Sequence, residues 1–589
     1  MRRPALLALA AGLAALAAAP PAQAQAEVVP AEHPVYAFLA DQRVAGRLPE
    51  FDAEVLPTGR RTVRAHLDSL AVRDSVARVP PEAWAGRGEA DGAGRDPERP
   101  RSGRGGAGRL GAAERFWLGE FRREFFEPLD RVHSYLGDGR AGVLDAGAER
   151  TLFYHRSDDW RAVVVGEGAA QVRAARGVGG EDRSAGGLAR AARLTVAGGW
   201  RGWLGLYSST LAGTQTSGDA AVLRSDPALA PLYYVSRDPG NVAGPFDQTS
   251  ASLRVRTGPF SAEIAHERLR VGASADAPLV LSANADYLPF VRLGLHTRVL
   301  DLQAVHAALS SRSVQVAGPD GDNGIVSPER YLALHRVRLR PVPWLSLAFT
   351  EMVVYGLRGP EVAYLNPLFP IKAAEHALYD RDNSLFALEA TVRPARGVEL
   401  YGTWFVDDLA TAELGDGRFS NKWAMNAGGS VTLPVSGWTA FGEYTRVEPY
   451  TYTHRFQDDG FFYNAYTHNA FGLGHPIGPN ADQWLAGVQA WLPARVRARA
   501  VARYRRRGEN FTDAAGAFVN VGGDVEVGTA PPDGLKAFLS GDRSEGWGLQ
   551  GQLVVEPLND VEIRLFGDLQ RWDRAPDEAF VRAELAVRL

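Results

Sequence analysis

Residues 494–507 read ARVRARAVARYRRR. Arg495, Arg497, Arg499, Arg503, Arg505 and Arg507 fall on one parity of that stretch, and Val496, Ala498, Ala500, Ala502 and Tyr504 on the other. Side chains point to opposite faces at successive residues only in a β-strand, so this is a strand with one cationic and one small apolar face. The same period of two runs from about residue 160 to the C-terminus. In GVELYGTWFVDD, Val398, Leu400, Trp404 and Val406 alternate with Glu399, Tyr401, Thr403 and Asp407. In NDVEIRLFGDLQRW, Val561, Ile563, Leu565 and Leu569 alternate with Glu562, Arg564, Asp568 and Gln570. AFVRAELAVRL ends the chain in the same way.

The connections alternate as well. Short Pro-marked turns (LRPVPWL, VRPARGV, LPVSGW, LPARVR, VEPLNDV) separate hairpins joined by long polar segments, such as 358–383, 450–481 and 509–545. Short turns on one rim and long loops on the other are the outer-membrane barrel pattern. Trp344, Trp404, Trp438, Trp484, Trp491, Trp547 and Trp572 recur near strand ends, as an interfacial girdle requires. The expected fold is all-β: a transmembrane antiparallel β-barrel of about 18 strands spanning 151–589. A soluble sandwich or propeller would need no such rim asymmetry.

In a bilayer the apolar parity faces lipid and the arginines face the lumen. An Arg on the lipid face costs about 2–4 kcal/mol at mid-membrane. HRVRLR places Arg336, Arg338 and Arg340 against Val337 and Leu339, and LRVR places Arg254 and Arg256 against Leu253 and Val255.

The N-terminal part differs. A basic start, an apolar core and small residues at Ala22, Ala24 and Ala26 read as a signal peptide over 1–26. Residues 27–150 read as a small helical periplasmic region. Val35, Phe38, Leu39 and Val44 form one apolar stripe. Val63, Leu67 and Leu70 form a second behind Thr58 as N-cap, and Phe116, Leu118, Phe121 and Phe125 a third. A Gly/Arg-rich insert at 83–112 interrupts it and reads as disordered. The chain has no cysteine, hence no disulfide, thiolate chemistry or Cys-linked lipid anchor.

Several segments together resemble the capsule-assembly Wzi family of outer-membrane barrels. HPVYAFLADQRVAGRLPEF resembles the family's helical start, and the strand-loop segment ending in Leu281–Ala285 resembles its Leu-Ser-x-Asn-Ala run. YLALHRVRL and LAFTEMVVYG resemble its His-Arg and Glu-x-x-x-Tyr strands, here His335, Arg336, Glu351 and Tyr355. YLNPLFP, DNSLFALEATV, YGTWFVDDL, GEYTRVEPYTYTH and GLGHPIGPNADQW follow in order. The insert at 83–112 departs from the family pattern. The resemblance implies a lectin-like surface barrel that holds capsular or exopolysaccharide, not an enzyme.

Residue by residue, Arg495, Arg497, Arg499, Arg503, Arg505, Arg336 and Arg338 are candidates for lining the lumen or binding anionic polysaccharide. The bland alternative, favoured for most of them, is pairing with lumen carboxylates such as Glu399, Asp407, Glu443 and Glu562. Tyr444, Tyr450, Tyr452, Tyr463 and Tyr466 are candidate sugar-stacking platforms or girdle residues. The loop around His475 reads equally as a lumen plug or a surface loop. Asp380–Ser384 has Ca²⁺-type ligands without EF-hand spacing, and a solvated turn is preferred. His155–Asp158 has the residue types of a membrane hydrolase but not its motif. No catalytic residue, metal, cofactor or nucleic-acid partner is expected; outer-membrane lipid and polysaccharide are, with a monomer preferred. The competing reading is a porin or diffusion channel for small anions, with arginines at a constriction. A third is a barrel of secretion or assembly machinery with protein partners at the helical region.

Overall fold

The computed structural model describes residues 26–78, 109–126, 132–136, 149–178, 181–219, 221–232, 245–311, 314–317, 323–326, 329–409, 416–454 and 463–589. The expected signal peptide, except Ala26, and most of the Gly/Arg-rich insert lie outside the described residues.

The alternating segments form one closed antiparallel barrel of 18 long strands. In chain order these are β1 Trp160–Arg176, β2 Ser184–Trp200, β3 Leu204–Gly218, β4 Pro245–Thr257, β5 Phe260–Glu267 and β6 Leu288–His296. They continue as β7 Leu300–Leu309, β8 Arg330–Val342, β9 Leu345–Gly356, β10 Asn383–Ala395, β11 Val398–Asp408 and β12 Lys422–Thr432. The last are β13 Trp438–Val447, β14 Ala481–Leu492, β15 Val496–Glu509, β16 Asp542–Leu558, β17 Val561–Trp572 and β18 Glu578–Arg588. β18 pairs with β1, from Ala579 opposite Arg176 to Arg588 opposite Glu167, so the barrel leaves no edge. Phe153–Arg156 extends the ladder along β1 below that seam.

One rim carries short turns, such as 258–259, 343–344 and 559–560. The other carries the long connections 268–287, 357–382, 448–480 and 510–541. By the outer-membrane pattern the short rim is periplasmic. Outward residues are apolar and bare: Leu253, Ile264, Leu347, Leu400, Leu549 and Leu585 are exposed. Such a continuous apolar band is stable only against lipid. Tyr444 packs against Trp484 with ring centroids 4.4 Å apart, and Tyr504 against Trp547 at 4.8 Å, forming part of the outer girdle. Exposed Trp160, Trp200 and Trp344 mark the periplasmic one. Two of the expected girdle tryptophans lie elsewhere. Trp491 is buried among the N-terminal helices, and Trp572 lies under the Arg507 guanidinium at 4.0 Å.

Three helices cap the periplasmic mouth: α1 Pro34–Val44, α2 Arg60–Arg78 and α3 Ala112–Phe126. Phe38, Leu39, Val63, Leu67, Leu70 and Phe121 pack into one core, joined by Trp491 from the barrel. Trp117, not Phe116, fills the inner face of α3. Its indole Nε1 donates to Leu492 O at 2.8 Å, which ties the helix to a periplasmic turn. Thr58 does not cap α2; Thr58–Gly59 pairs with Val28–Val29 and the helix begins at Arg60.

Candidate functional site

The lumen is closed from both ends. From the periplasmic side, the segment after α1 carries Val55–Leu56 into the barrel. From the outer rim, connection 268–287 descends and places Arg270–Val271 beside it, with Leu281–Ser282 completing a three-stranded sheet. Connection 448–480 folds in beside them. Leu279, Val280, Leu281, Tyr452, Tyr466 and Leu473 form one buried cluster with inward residues Met352, Val354, Leu385 and Phe405 of the wall. Ser282 Oγ donates to Gly474 O at 2.5 Å and Asn284 Nδ2 to Gly472 O at 3.2 Å. The Leu-Ser-x-Asn-Ala run therefore fastens one inward loop to the other. His475 lies in this packing and is buried, so of the two readings of its loop the structure takes the plug.

The plug is fixed to the wall by buried ion pairs. Arg336 Nη2 lies 3.0 Å from Glu54 Oε2 of the plug, and Arg336 also pairs with Glu389 of β10. Arg338 pairs with Asp52 at 2.5 Å and with Asp301. Arg43 of α1 pairs with Glu399 at 2.5 Å. A charge in so dry a place persists because a partner and hydrogen bonds offset its desolvation. Arg336 and Arg338 face inward, and each guanidinium is shared between a plug carboxylate and a wall carboxylate.

The arginine strand is β15. Its odd residues face inward and Ala500 and Ala502 face lipid. Arg495, in the turn before the strand, pairs with Glu120 of α3 at 3.0 Å. Arg497 approaches Glu562 to 3.8 Å, and Arg503 approaches Asp568 to 3.3 Å. Arg499 donates to Ala275 O at 2.8 Å, with its guanidinium 4.6 Å from the Phe441 ring, and Arg505 donates to Gln483 Oε1 at 2.7 Å. Of the four carboxylates expected as partners, Glu562 serves this strand. Glu399 serves Arg43, Glu443 accepts from the Tyr401 hydroxyl, and Asp407 accepts from Tyr452 N.

The tyrosines divide. Tyr444 belongs to the girdle. Tyr450 and Tyr452 are each 1 % exposed, so neither is an open stacking platform. Both have positive φ, 65° and 71°. That bent backbone tucks both rings inward, where Tyr450 donates to Asn520 O at 2.8 Å and Tyr452 to Leu279 O at 3.0 Å. Tyr466 stacks on Tyr452 with centroids 5.7 Å apart. Tyr463 is half-buried, and its carbonyl accepts from Arg330 Nε at 2.5 Å.

Two motif residues hold an outer feature that the sequence did not reveal. Glu351 and Tyr355 share the outward face of β9. Tyr355 OH accepts from Glu361 N at 2.9 Å, and Glu351 Oε2 accepts from Ile371 N at 2.8 Å. These bonds satisfy the starts of two short helices, α5 Val362–Leu365 and α6 Ile371–Ala377 (α4 is Val222–Ser225). The helix pair is thereby laid over the outside of the wall, covering Ala333 and Val353 and presenting exposed Val362, Leu368 and Tyr379. In the neighbouring loop, Asp382 accepts from the Tyr364 hydroxyl and pairs with Arg358 at 2.5 Å, so this carboxylate of the Asp380–Ser384 stretch is used internally. His155 stacks on Trp160 with centroids 4.0 Å apart.

An 18-strand barrel with a lipid-facing band, a plug pinned by buried ion pairs and a periplasmic helical cap defines a plugged outer-membrane β-barrel. The model of the capsule assembly protein Wzi family matches residues 217–573, and the chain belongs to that family. Among solved structures it is similar to Escherichia coli Wzi, described as an outer-membrane carbohydrate-binding β-barrel involved in group 1 capsule assembly. That similarity has a TM-score of 0.56 at 10 % identity and covers 95 % of this chain and 99 % of the other. Acinetobacter baumannii OccAB4 scores 0.40 at 11 % identity, covering 72 % of this chain and 97 % of its own. Pseudomonas aeruginosa OprD scores 0.39 at 12 %, covering 73 % and 95 %. A comparison with the curated proteins returns no match.

Proposed function

We propose that this barrel binds capsular or exopolysaccharide and attaches it at the cell surface, without catalysing a reaction on it. The observation that carries the reading is the filled lumen. A segment from each rim meets in one sheet and one apolar cluster, which suits a rigid holder and opposes a diffusion channel. The channel reading needs an aqueous path along the arginines, whereas β15 spends its charge on Glu120, Glu562 and Asp568. Family membership and the likeness to a carbohydrate-binding barrel support the same choice. Outer-membrane lipid is the surrounding partner, and a monomer suffices because the barrel closes on itself.

The test titrates purified barrel with surface polysaccharide from its own cells at low and high salt, beside conductance in a planar bilayer. Saturable, salt-weakened binding with no steady conductance is expected. Large ohmic conductance with no binding would replace this reading with the channel.

A further inference from the structure

Between α2 and the wall formed by β4–β8 there is a cavity of about 1010 Å³, whose mouth is bordered by the periplasmic turns at Thr297–Val299 and Pro341–Pro343. Its volume is at the upper end of the about 300–1,000 Å³ typical of small-molecule sites. From the wall come Arg254 and Arg256 of β4, Arg292 of β6, and Arg338 and Arg340 of β8. Arg298 joins from a turn and Arg73 from α2. Glu50, Asp52 and Asp301 are the carboxylates that line it. Glu263 adds a fourth through its bond to Arg292, so among the described residues seven guanidiniums meet these four carboxylates.

The excess is localised. Arg254, Glu263 and Arg292 stand side by side on β4, β5 and β6. Glu263 Oε2 accepts from Arg292 Nη2 at 2.6 Å and Nε at 3.2 Å. One carboxylate cannot neutralise two guanidiniums, however it is shared. Arg254 is 4 % exposed, and its Nε and Nη1 are buried without a hydrogen-bond partner. The Arg256 guanidinium donates to the Thr62 hydroxyl at 2.7 Å and, among the described residues, pairs with no carboxylate. A buried guanidinium without acceptors is costly unless a ligand supplies them. The opposite wall of the cavity is a polar stripe on α2, Thr62, His66, Ser69 and Arg73, at helical spacing. Its hydroxyl and imidazole groups suit the hydroxyls of a sugar, and the guanidiniums suit planar carboxylates.

We infer that this periplasmic vestibule is a binding site for an acidic oligosaccharide of the uronate class, with Arg254 and Arg256 as its anion contacts. The inference rests on the reading that the chain handles surface polysaccharide, and it adds an inner contact for such a chain on the periplasmic side.

Full-length barrel in detergent is titrated calorimetrically with tetragalacturonate, with neutral maltotetraose as reference and the cells' own polysaccharide as a separate arm. Tetragalacturonate is expected to bind, to weaken between about 50 and about 500 mM NaCl, and to bind about tenfold less tightly to Arg254→Gln/Arg256→Gln. Arg298→Gln lies on an exposed turn and leaves the fold untouched; it should weaken binding about threefold. The inference is overturned by undetectable tetragalacturonate binding, by equal binding of maltotetraose, or by unchanged affinity in both Arg298→Gln and a correctly folded double variant. If the cells' polysaccharide still binds in that event, the surface reading stands without the vestibule. If it too fails, both fall.

Discussion

Two groups of inward arginines behave differently in this barrel. Those of β15 and the turn before it are the conspicuous ones, six on one parity from Arg495 to Arg507, and each meets an acceptor: Glu120, Glu562, Ala275 O, Asp568, Gln483 or Ser544. Those of β4 are inconspicuous, two in LRVR, and Arg254 has two buried nitrogens without an acceptor. What marks a binding site is therefore the charge left over after the protein's own carboxylates are counted, not the density of charge along a strand. The first group ties wall to wall and wall to cap; the second faces an open cavity.

The sharpest way to break that contrast is to delete one arginine of each kind. Arg336, between Glu54 and Glu389, is the clearest charge-paired cation, 2 % exposed. Arg336→Ala leaves two buried carboxylates facing each other and should lower the urea stability of the refolded barrel by about 3–5 kcal/mol. Arg254→Gln removes the surplus one of the two guanidiniums beside Glu263 and should leave stability within about 1 kcal/mol of wild type. Equal losses in the two variants would erase the distinction.

Next comes the conspicuous strand. Changing Arg495, Arg497, Arg503 and Arg505 together to Gln breaks contacts to α3, β14 and β17. It should cost about 2 kcal/mol or more, read by loss of the compact form in heat-modifiable gel mobility. Binding of the cells' polysaccharide by the folded fraction should change by less than about threefold. A selective loss of binding at full stability would return these arginines to the ligand.

A smaller effect sharpens the comparison from the other side. Glu263→Gln removes the one carboxylate that Arg254 and Arg292 share. Destabilisation of about 1–3 kcal/mol is expected, together with tetragalacturonate affinity raised about fivefold. A fall in affinity would mean that Glu263 positions the arginines instead of masking them.

The barrel was legible because lipid on one side and packed polar groups on the other impose a period of two on every strand. Leu400 and Trp404 on one face of β11 against Thr403 and Phe405 on the other show how faithfully it is kept. The N-terminal helices were legible through Val63, Leu67 and Leu70. The plug was not. Val55–Leu56 and Arg270–Val271 are two-residue strands, too short for any period, and their partners are remote in sequence. Tyr450 and Tyr452 have the composition of a sugar platform, and only their positive φ turns them inward. The vestibule was hidden for a related reason. The parity of Arg254 and Arg256 was visible, but their lack of carboxylates depends on which strands become neighbours and how Glu263 is divided.

The smallest expected effect concerns His66, on the α2 wall of the vestibule, with its ring edge-on to Phe51 at 5.3 Å. Burial pushes its imidazole below the usual range; Arg340 and Arg73 push the same way, while Glu50 and Asp52 oppose them. With the folded value depressed, the neutral ring is favoured in the fold. Its contribution to stability is complete above the unfolded value, about 6.5, and is lost as pH falls through the folded value. A bound uronate chain reverses the preference, because an anion in the cavity favours the imidazolium. Between about pH 7 and about pH 5, therefore, the empty barrel should lose slightly more stability than His66→Gln, while tetragalacturonate affinity rises about threefold in wild type and stays flat in the variant. A packing role alone would give the stability change without the affinity change. An affinity profile in His66→Gln as steep as in wild type would place the titrating group elsewhere and remove His66 from the vestibule's ligand-facing wall.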